Sequence, residues 1–202
     1  NGGAARATIA GDDGDTVSIY TSVPLEPNEC GLGWFQARIR SSIITAQSIF
    51  VGLTDTVTDS VTIENEDGAL ATVPTDAFGL LIGGEATETG NVWNTMGVGN
   101  DVDDTLRAST TPAISMVANT WTTIAIEFDQ NGNNGDTVVR YRCYIDGVKV
   151  VTAGTDALGW TTSVARSSIP YYGVVTFDDR NTAYTGDVYE TYLKGAVGTV
   201  AD

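Results

Sequence analysis

Residues 139–151, VRYRCYIDGVKVV, alternate between apolar and polar side chains on both sides of an Asp-Gly pair. This pattern is typical of a β-hairpin with a two-residue turn. A turn at Asp146 and Gly147 pairs Ile145 with Val148 and Tyr144 with Lys149. The predicted core face consists of Tyr141, Cys143, Ile145, Val148 and Val150. The opposite face consists of Arg140, Arg142, Tyr144 and Lys149.

Short strands of the same kind recur along the chain. GWFQARIRS alternates with Phe35, Ala37 and Ile39 on its apolar face. SIFVGLTD is apolar on both faces, which predicts a central strand. Further predicted strands are AFGLLIGG, TWTTIAIEFD, YYGVVTFDD and DVYETYLKG, separated by Gly-, Asn- and Asp-rich turns. Many short strands without helical periodicity predict an all-β fold, a two-sheet antiparallel β-sandwich of jelly-roll type.

The chain divides into a short leading segment and one domain. Residues 1–15, NGGAARATIAGDDGD, are polar and Gly-rich and predict an N-terminal arm or linker. The strand pattern of residues 16–202 predicts a single β-sandwich domain, and a domain of this length is usual for such a fold.

The charge of the chain narrows the choice of partners. Twenty-six acidic and ten basic residues give a formal net charge of −16. Nucleic-acid binding needs a surplus of Lys and Arg, so the composition argues against a nucleic-acid partner. No run of 18 apolar residues occurs, so the sequence predicts no membrane span.

Catalytic chemistry is sparse in this sequence. The chain has no histidine, which removes Ser-His-Asp and Cys-His mechanisms and nearly every zinc site. A paired-carboxylate glycosidase remains an alternative, but each candidate lies in or next to a turn. The sequence therefore predicts a protein that is not an enzyme. The candidate carboxylates are Glu64, Glu66 and Asp67, and the pair Glu127 and Asp129.

The two cysteines and the acidic loops leave two minor questions open. Cys143 lies at a core-facing position of its predicted strand, so the sequence predicts a buried free thiol. The alternative is a disulfide bridge between Cys143 and Cys30. No cofactor and no metal ligand is predicted, although Ca²⁺ needs only oxygen ligands and stays open. The acidic clusters are Asp12, Asp13 and Asp15; Asp101, Asp103 and Asp104; and Asp178 with Asp179.

Four arginines fall in one phase of two predicted strands, and Lys149 joins them across the hairpin, which makes half of the ten cations. If both strands lie in one sheet, these cations share one surface. That surface suits docking onto an acidic partner, because Arg binds carboxylates in a bidentate manner. The alternative is that each Arg pairs with a carboxylate on a neighbouring strand. The candidate docking residues are Arg38, Arg40, Arg140, Arg142 and Lys149.

The order WFQARIR, IFVGLTD, EDGAL, FGLLI, WTTIAIEFD and VRYRCYIDGVKV resembles the concanavalin A-like (laminin G-like) jelly roll. More narrowly, it resembles domains of the tailed-phage virion structural or capsid-decoration type. The resemblance covers about residues 30–155 and extends more weakly to 195. The chain lacks the Glu-x-Asp-x-x-Glu strand of glucanase relatives and the His-containing metal site of legume lectins.

This resemblance implies a non-enzymatic capsid decoration or cementing protein on the outer surface of a phage head. Its partners are then the major capsid protein and further copies of itself. The alternative is a carbohydrate-binding, lectin-like module, either secreted or displayed on the virion, that binds host surface glycans. Sugar sites combine aromatic platforms with polar groups. The candidates for this alternative are Trp93, Asn94, Trp160, Tyr171 and Tyr172.

Overall fold

The structure is a computed structural model. It describes residues 5–8, 16–25, 32–42, 44, 47–55, 77–83, 91–98, 108–110, 112–129, 138–152, 161–165, 171–179 and 188–198. These residues form thirteen β-strands in two antiparallel sheets and include no helix, as the sequence predicts. Accordingly, the described residues contain no helix long and apolar enough to span a bilayer.

Sheet A has seven strands in the order β1-β13-β3-β8-β9-β10, with β11 also pairing with β9. Each pairing is antiparallel. Its strands are β1 (Ala5–Thr8), β3 (Leu32–Ser41), β8 (Thr122–Asp129), β9 (Val138–Ile145), β10 (Val148–Lys149), β11 (Thr161–Ala165) and β13 (Val188–Gly198). The predicted N-terminal arm therefore contributes the edge strand β1.

Sheet B has six strands in the order β2-β12-β4-β5-β6-β7, and its pairings are also antiparallel. Its strands are β2 (Thr16–Tyr20), β4 (Gln47–Thr54), β5 (Ala77–Ile82), β6 (Asn94–Val98), β7 (Ala108–Ser109) and β12 (Tyr172–Asp179). The strand β4, apolar on both faces, lies between β12 and β5, which confirms the prediction of a central strand.

The core lies between the inner faces of the two sheets and is rich in aromatic rings. Phe78 of β5 lies at its centre, with ring centroids 5.9 Å from Phe128, 5.3 Å from Tyr141 and 5.4 Å from Tyr171. These separations are typical of favourable aromatic pairs. The buried hydroxyl of Tyr141 on sheet A donates a 2.9 Å hydrogen bond to the carbonyl of Met96 on sheet B. This bond ties the two layers together across the core.

The hairpin of β9 and β10 has the predicted register, with Ile145 opposite Val148 and Tyr144 opposite Lys149. Asp146 and Gly147 both have positive φ, 49° and 80°, as the type I′ turn requires. One detail of the prediction is wrong: Val148 is 63% exposed and does not join the core. β10 lies at the edge of the sheet and spans only two residues, so its first side chain extends beyond the inner layer.

Candidate functional site

Alternation on sheet A produces a solvent-facing outer surface. Along β8, buried residues alternate strictly with half-buried ones, and β3 and β9 follow the same rule. Since β8 lies between β3 and β9, the outward residues of all three strands form one surface. We call it the β3–β8–β9 face. Its central members are Trp34, Gln36, Arg38, Arg40, Trp121, Thr123, Ala125, Glu127, Arg142 and Tyr144.

Two of the five candidate cations on this surface are paired with carboxylates of the chain itself. Arg142 lies opposite Glu127 in the register, with Nε 3.3 Å from Oε2. Arg140 lies opposite Asp129, and its Nη2 donates a 3.0 Å hydrogen bond to Oδ2. The alternative of cross-strand ion pairs is therefore confirmed for these two arginines. Partly exposed pairs of this kind stabilise a sheet by about 0.2–1 kcal/mol.

Tyr144 joins one of these pairs. Its hydroxyl donates a 3.2 Å hydrogen bond to Oε2 of Glu127, which also faces Arg142. Burial raises the pKa of Tyr144, and the negative charge of Glu127 raises it further, while Arg142 acts in the opposite direction. The tyrosine therefore stays protonated and keeps donating to Glu127. The result is a fixed carboxylate held by a phenol and a guanidinium.

A second group of arginines surrounds an indole ring. The guanidinium carbons of Arg38 and Arg40 lie 5.0 Å and 5.2 Å from the ring centroid of Trp121. Cation–π attraction operates over such distances. Trp121 directly precedes β8, where the register places it beside Arg40. Arg38 is exposed, whereas Arg40 is half-buried and makes a further polar or electrostatic contact.

The fifth candidate cation, Lys149, is exposed on β10 opposite Tyr144. The strands of all five cations therefore belong to sheet A, so the condition for a shared surface is met. Their environments differ, because Arg140 and Arg142 form ion pairs with carboxylates of β8, whereas Arg38 and Arg40 lie near Trp121. In the register, Arg40 also lies opposite Glu190 of β13.

The candidate sugar-binding residues do not come together. Trp93 and Tyr171 are fully buried in the core, so neither ring is available for stacking on a sugar. Asn94 is 7% exposed, and its amide donates a 3.0 Å hydrogen bond to the carbonyl of Val92. Tyr172 is half-buried on sheet B, and Trp160 lies outside the described residues. Aromatic side chains next to Gly- and Asn-rich segments thus pack inward here.

The outer face of sheet B differs from that of sheet A because it is buried. It carries a second apolar cluster of Phe50, Ala77, Leu81, Met96 and Val174, with Tyr20 packed against it. Gly52 lies directly across from Gly79 in this face, and the ring of Phe50 occupies the space that a Cβ on Gly52 would need. Asp178, one of the acidic candidates, is also buried here, at 3% exposure. This surface is therefore closed to a large ligand.

Neither the thiol nor the described carboxylates form a reactive centre. Cys143 is a free cysteine, buried in the core, so the bridge to Cys30 is not formed. Burial raises the pKa of its thiol far above the usual range, which keeps it protonated and unreactive. Within the described ranges, no three His, Cys, Asp or Glu residues are grouped so that they could hold a metal.

Several acidic candidates of the sequence analysis lie outside the described residues. Glu127 and Asp129, the only candidate catalytic pair within them, are both engaged by arginines. The candidates outside the described residues are Glu64, Glu66, Asp67, Asp12, Asp13, Asp15, Asp101, Asp103 and Asp104.

Trp121 is the residue that the sequence analysis did not single out as a site candidate. Trp121 lies two residues before Thr123, so its side chain points to the same outward face as the outward residues of β8. The alternation of TWTTIAIEFD shows this position in the sequence. Its place beside Arg38 and Arg40 depends on the pairing of β3 with β8, which the sequence does not reveal.

Comparisons with known proteins agree on the fold. No protein-family model and no curated protein sequence matches the chain. Among solved structures, the potassium-bound carbohydrate recognition domain of Emp46p superimposes with a TM-score of 0.63 at 11% identity, covering 96% of this chain and 84% of that one. A legume lectin-like domain from Entamoeba histolytica gives a TM-score of 0.53 at 11% identity, with 96% and 84% coverage.

A third similar structure is the alginate lyase Aly36B in complex with alginate trisaccharide, with a TM-score of 0.53 at 11% identity and 97% and 81% coverage. At such identities the likeness shows the fold alone. The chain has the lectin-like, concanavalin A-like jelly-roll β-sandwich that the sequence predicts.

Proposed function

We propose that the protein is a carbohydrate-binding module, without catalytic activity, that binds glycans on the β3–β8–β9 face. The observation that carries this proposal is the presence of three half-buried aromatic side chains on this one surface, Trp34, Trp121 and Tyr144. The fold adds support, because one of the similar structures is a carbohydrate recognition domain and another is a legume lectin-like domain.

The chemistry of this face suits a sugar. The C–H groups of a pyranose ring pack on aromatic side chains, while its hydroxyls need fixed hydrogen-bonding groups. Glu127 offers such a group, because Arg142 and Tyr144 hold its carboxylate in place. Gln36 lies one step along β3 from Trp34 on the same face and adds a second polar group. A prearranged surface binds more tightly because less side-chain motion is lost on binding.

The same network supports a binding role rather than hydrolysis. A glycosidase uses one carboxyl as acid and a second as base or nucleophile, both directed at the substrate. Here Glu127 and Asp129 are directed at arginines of the adjacent strand. We therefore assign Glu127 to hydrogen bonding and orientation.

Glycan binding is tested by titrating the protein with a panel of polysaccharides while following tryptophan fluorescence. Trp34→Ala is expected to weaken binding by about three- to tenfold, the range given by one lost aromatic contact. Tyr172→Ala is the matched control, since Tyr172 is a half-buried aromatic residue on sheet B. Loss of binding in the Tyr172 variant alone would place the site on sheet B and overturn the proposal.

We also propose that the protein is displayed on a phage particle, in contact with the major capsid protein and as a homo-oligomer. The resemblance in its strand order and a formal net charge of −16, which suits a dispersed particle surface, support this placement. Mass-spectrometric copy number in purified particles tests it. A simple fraction of the coat copies is expected, and absence from the particles refutes it.

A further inference from the structure

We propose that Arg38, Trp121 and Arg40 form an anion-binding subsite, and that the glycan recognised is acidic, carrying carboxylate or sulfate groups. This inference rests on the glycan-binding face proposed above and names the chemical class of its ligand. We refer to the three residues as the Arg–Trp–Arg cluster.

The geometry of the cluster concentrates positive charge. Arg38 and Arg40 are two residues apart on β3, so their backbones are about 7 Å apart on the same face. Both guanidinium carbons lie within 5.2 Å of the centroid of the same indole ring. The negative face of the ring attracts each cation but leaves the two cations to repel each other. The register places Glu190 of β13 opposite Arg40, whereas no carboxylate lies opposite Arg38. A bound anion compensates the charge of Arg38 and relieves its repulsion with Arg40.

The position of Arg38 leaves donors for a ligand. Its guanidinium carbon lies 5.0 Å from the ring centroid and its side chain is exposed, so its N–H groups are accessible from solvent. Those N–H groups match the oxygens of a carboxylate or sulfate. Arg38 is exposed and held at the ring, so it is ready to donate to a ligand. Arg40 is engaged by a further contact, so we assign it a supporting electrostatic role.

A comparison within the same face separates this cluster from the other arginines. Arg140 and Arg142 lie directly opposite Asp129 and Glu127, and those carboxylates already compensate their charge. The residues opposite Arg38 are Thr123 on β8 and Tyr192 on β13, and neither carries a charge at neutral pH. Arg40 lies opposite Glu190 of β13 in the register, so Arg38 is the arginine of the cluster that has uncharged neighbours on both sides.

The net charge of −16 opposes an acidic ligand at long range and sets the conditions for binding. Screening limits this repulsion to about 8–10 Å at physiological salt, whereas direct contacts with the cluster persist. We therefore expect acidic glycans to bind better at about 0.15 M salt than at about 0.01 M, where the Debye length is about 30 Å. A purely basic surface would show the opposite trend.

The test measures the affinity of the protein for polygalacturonate, dextran sulfate and unmodified dextran at about 0.15 M salt. At least one of the two acidic polymers is expected to bind about tenfold or more tightly than dextran. Preference between the two identifies the carboxylate or the sulfate as the group bound. Arg38→Gln is expected to reduce binding of the acidic polymer about tenfold, a larger loss than it causes for dextran.

Arg140→Gln is the matched control. It removes the same charge from the same sheet, and six residues along the neighbouring strand separate Thr123 from Asp129, a distance of about 20 Å. Binding of the acidic polymer is expected to stay within twofold of the unmodified protein, after thermal unfolding has shown that the variant is folded.

The possible failures are distinguishable. Equal affinity for dextran and both acidic polymers, unchanged in Arg38→Gln, overturns the acidic-ligand inference and leaves glycan binding intact. No binding to any polysaccharide tested overturns both proposals. Binding to purified capsids through Arg38 without binding to any polysaccharide assigns the cluster to an acidic protein surface and likewise refutes the glycan inference.

Discussion

The outer faces of the two sheets differ sharply although both lie on one sandwich. On β3, β8 and β9 of sheet A, the outward residues whose burial the structure describes are half-buried or exposed, and they include aromatic side chains, arginines and a glutamate. On sheet B, outward residues such as Phe50, Leu81 and Met96 are buried as completely as the core between the sheets. Sheet A therefore resembles an antiparallel sheet with one solvated face, whereas the central strands β4, β5 and β6 of sheet B are buried on both faces.

This difference indicates that the two sheets contribute differently to the stability of the fold and to the surface available for binding. Burial on both faces makes the central strands of sheet B a source of stability, because their side chains are removed from water. The outer face of sheet A contributes less burial, and its side chains keep polar groups at the surface. We have proposed that glycans bind on the β3–β8–β9 face of sheet A, so substitutions on the two faces should have different consequences.

The largest contrast is expected from truncating an aromatic ring on each face. Phe50→Ala on sheet B should lower the free energy of unfolding by about 3–5 kcal/mol, because it leaves a cavity in a buried cluster. Trp34→Ala on sheet A should cost about half of that or less, since the indole is already partly in water. Chemical denaturation measures both. Equal losses would mean that the outer face of sheet A is as buried as that of sheet B.

A smaller effect is expected from reversing a charge on sheet A. Arg142→Glu places two glutamates opposite each other and should lower the free energy of unfolding by about 1 kcal/mol. The double variant Arg142→Glu with Glu127→Arg should recover most of the loss. Arg38→Glu faces Thr123 and should cost less. A double variant no more stable than the single one would show that this ion pair contributes nothing to the fold.

The smallest effect concerns the ionisation of Tyr144. Its pKa is raised above the usual value, through burial first and Glu127 second, so the folded protein retains this proton longer than the unfolded chain. The resulting stability is complete below about pH 10, the usual tyrosine pKa, and is lost as the pH rises through the higher folded value. Difference titration of phenolate absorbance against Tyr144→Phe locates the transition. A Glu127→Gln variant should titrate at lower pH, and an unchanged titration would contradict the contact.

Local pattern was sufficient to predict the parts of the fold that depend on near neighbours in sequence. The hairpin register follows from the Asp-Gly turn, and the central place of β4 follows from apolar residues on both of its faces. The alternation also assigned Arg38 and Arg142 correctly to the outward phase. In each case the deciding interactions lie within one strand or one turn.

The contacts within the candidate site depend on strand pairings that cannot be read from a local sequence pattern. Whether Arg142 meets a carboxylate is decided by the register of β8 with β9, and whether Arg38 meets Trp121 by that of β3 with β8. Burial of Trp93 and Tyr171 likewise results from packing across the two sheets. Aromatic residues near turn-rich segments look similar in sequence whether they point to the core or to solvent.

The order of strands has a consequence for how the chain folds. The latest strands in sequence occupy interior positions, with β13 between β1 and β3 and β12 between β2 and β4. Strands β1 to β4 therefore pair with β12 and β13, whose residues lie more than a hundred positions later in the sequence. Neither sheet can be completed before these two strands are in place. Such non-local closure slows folding. During synthesis, both sheets are therefore completed only after the last two strands have been made, rather than hairpin by hairpin along the chain.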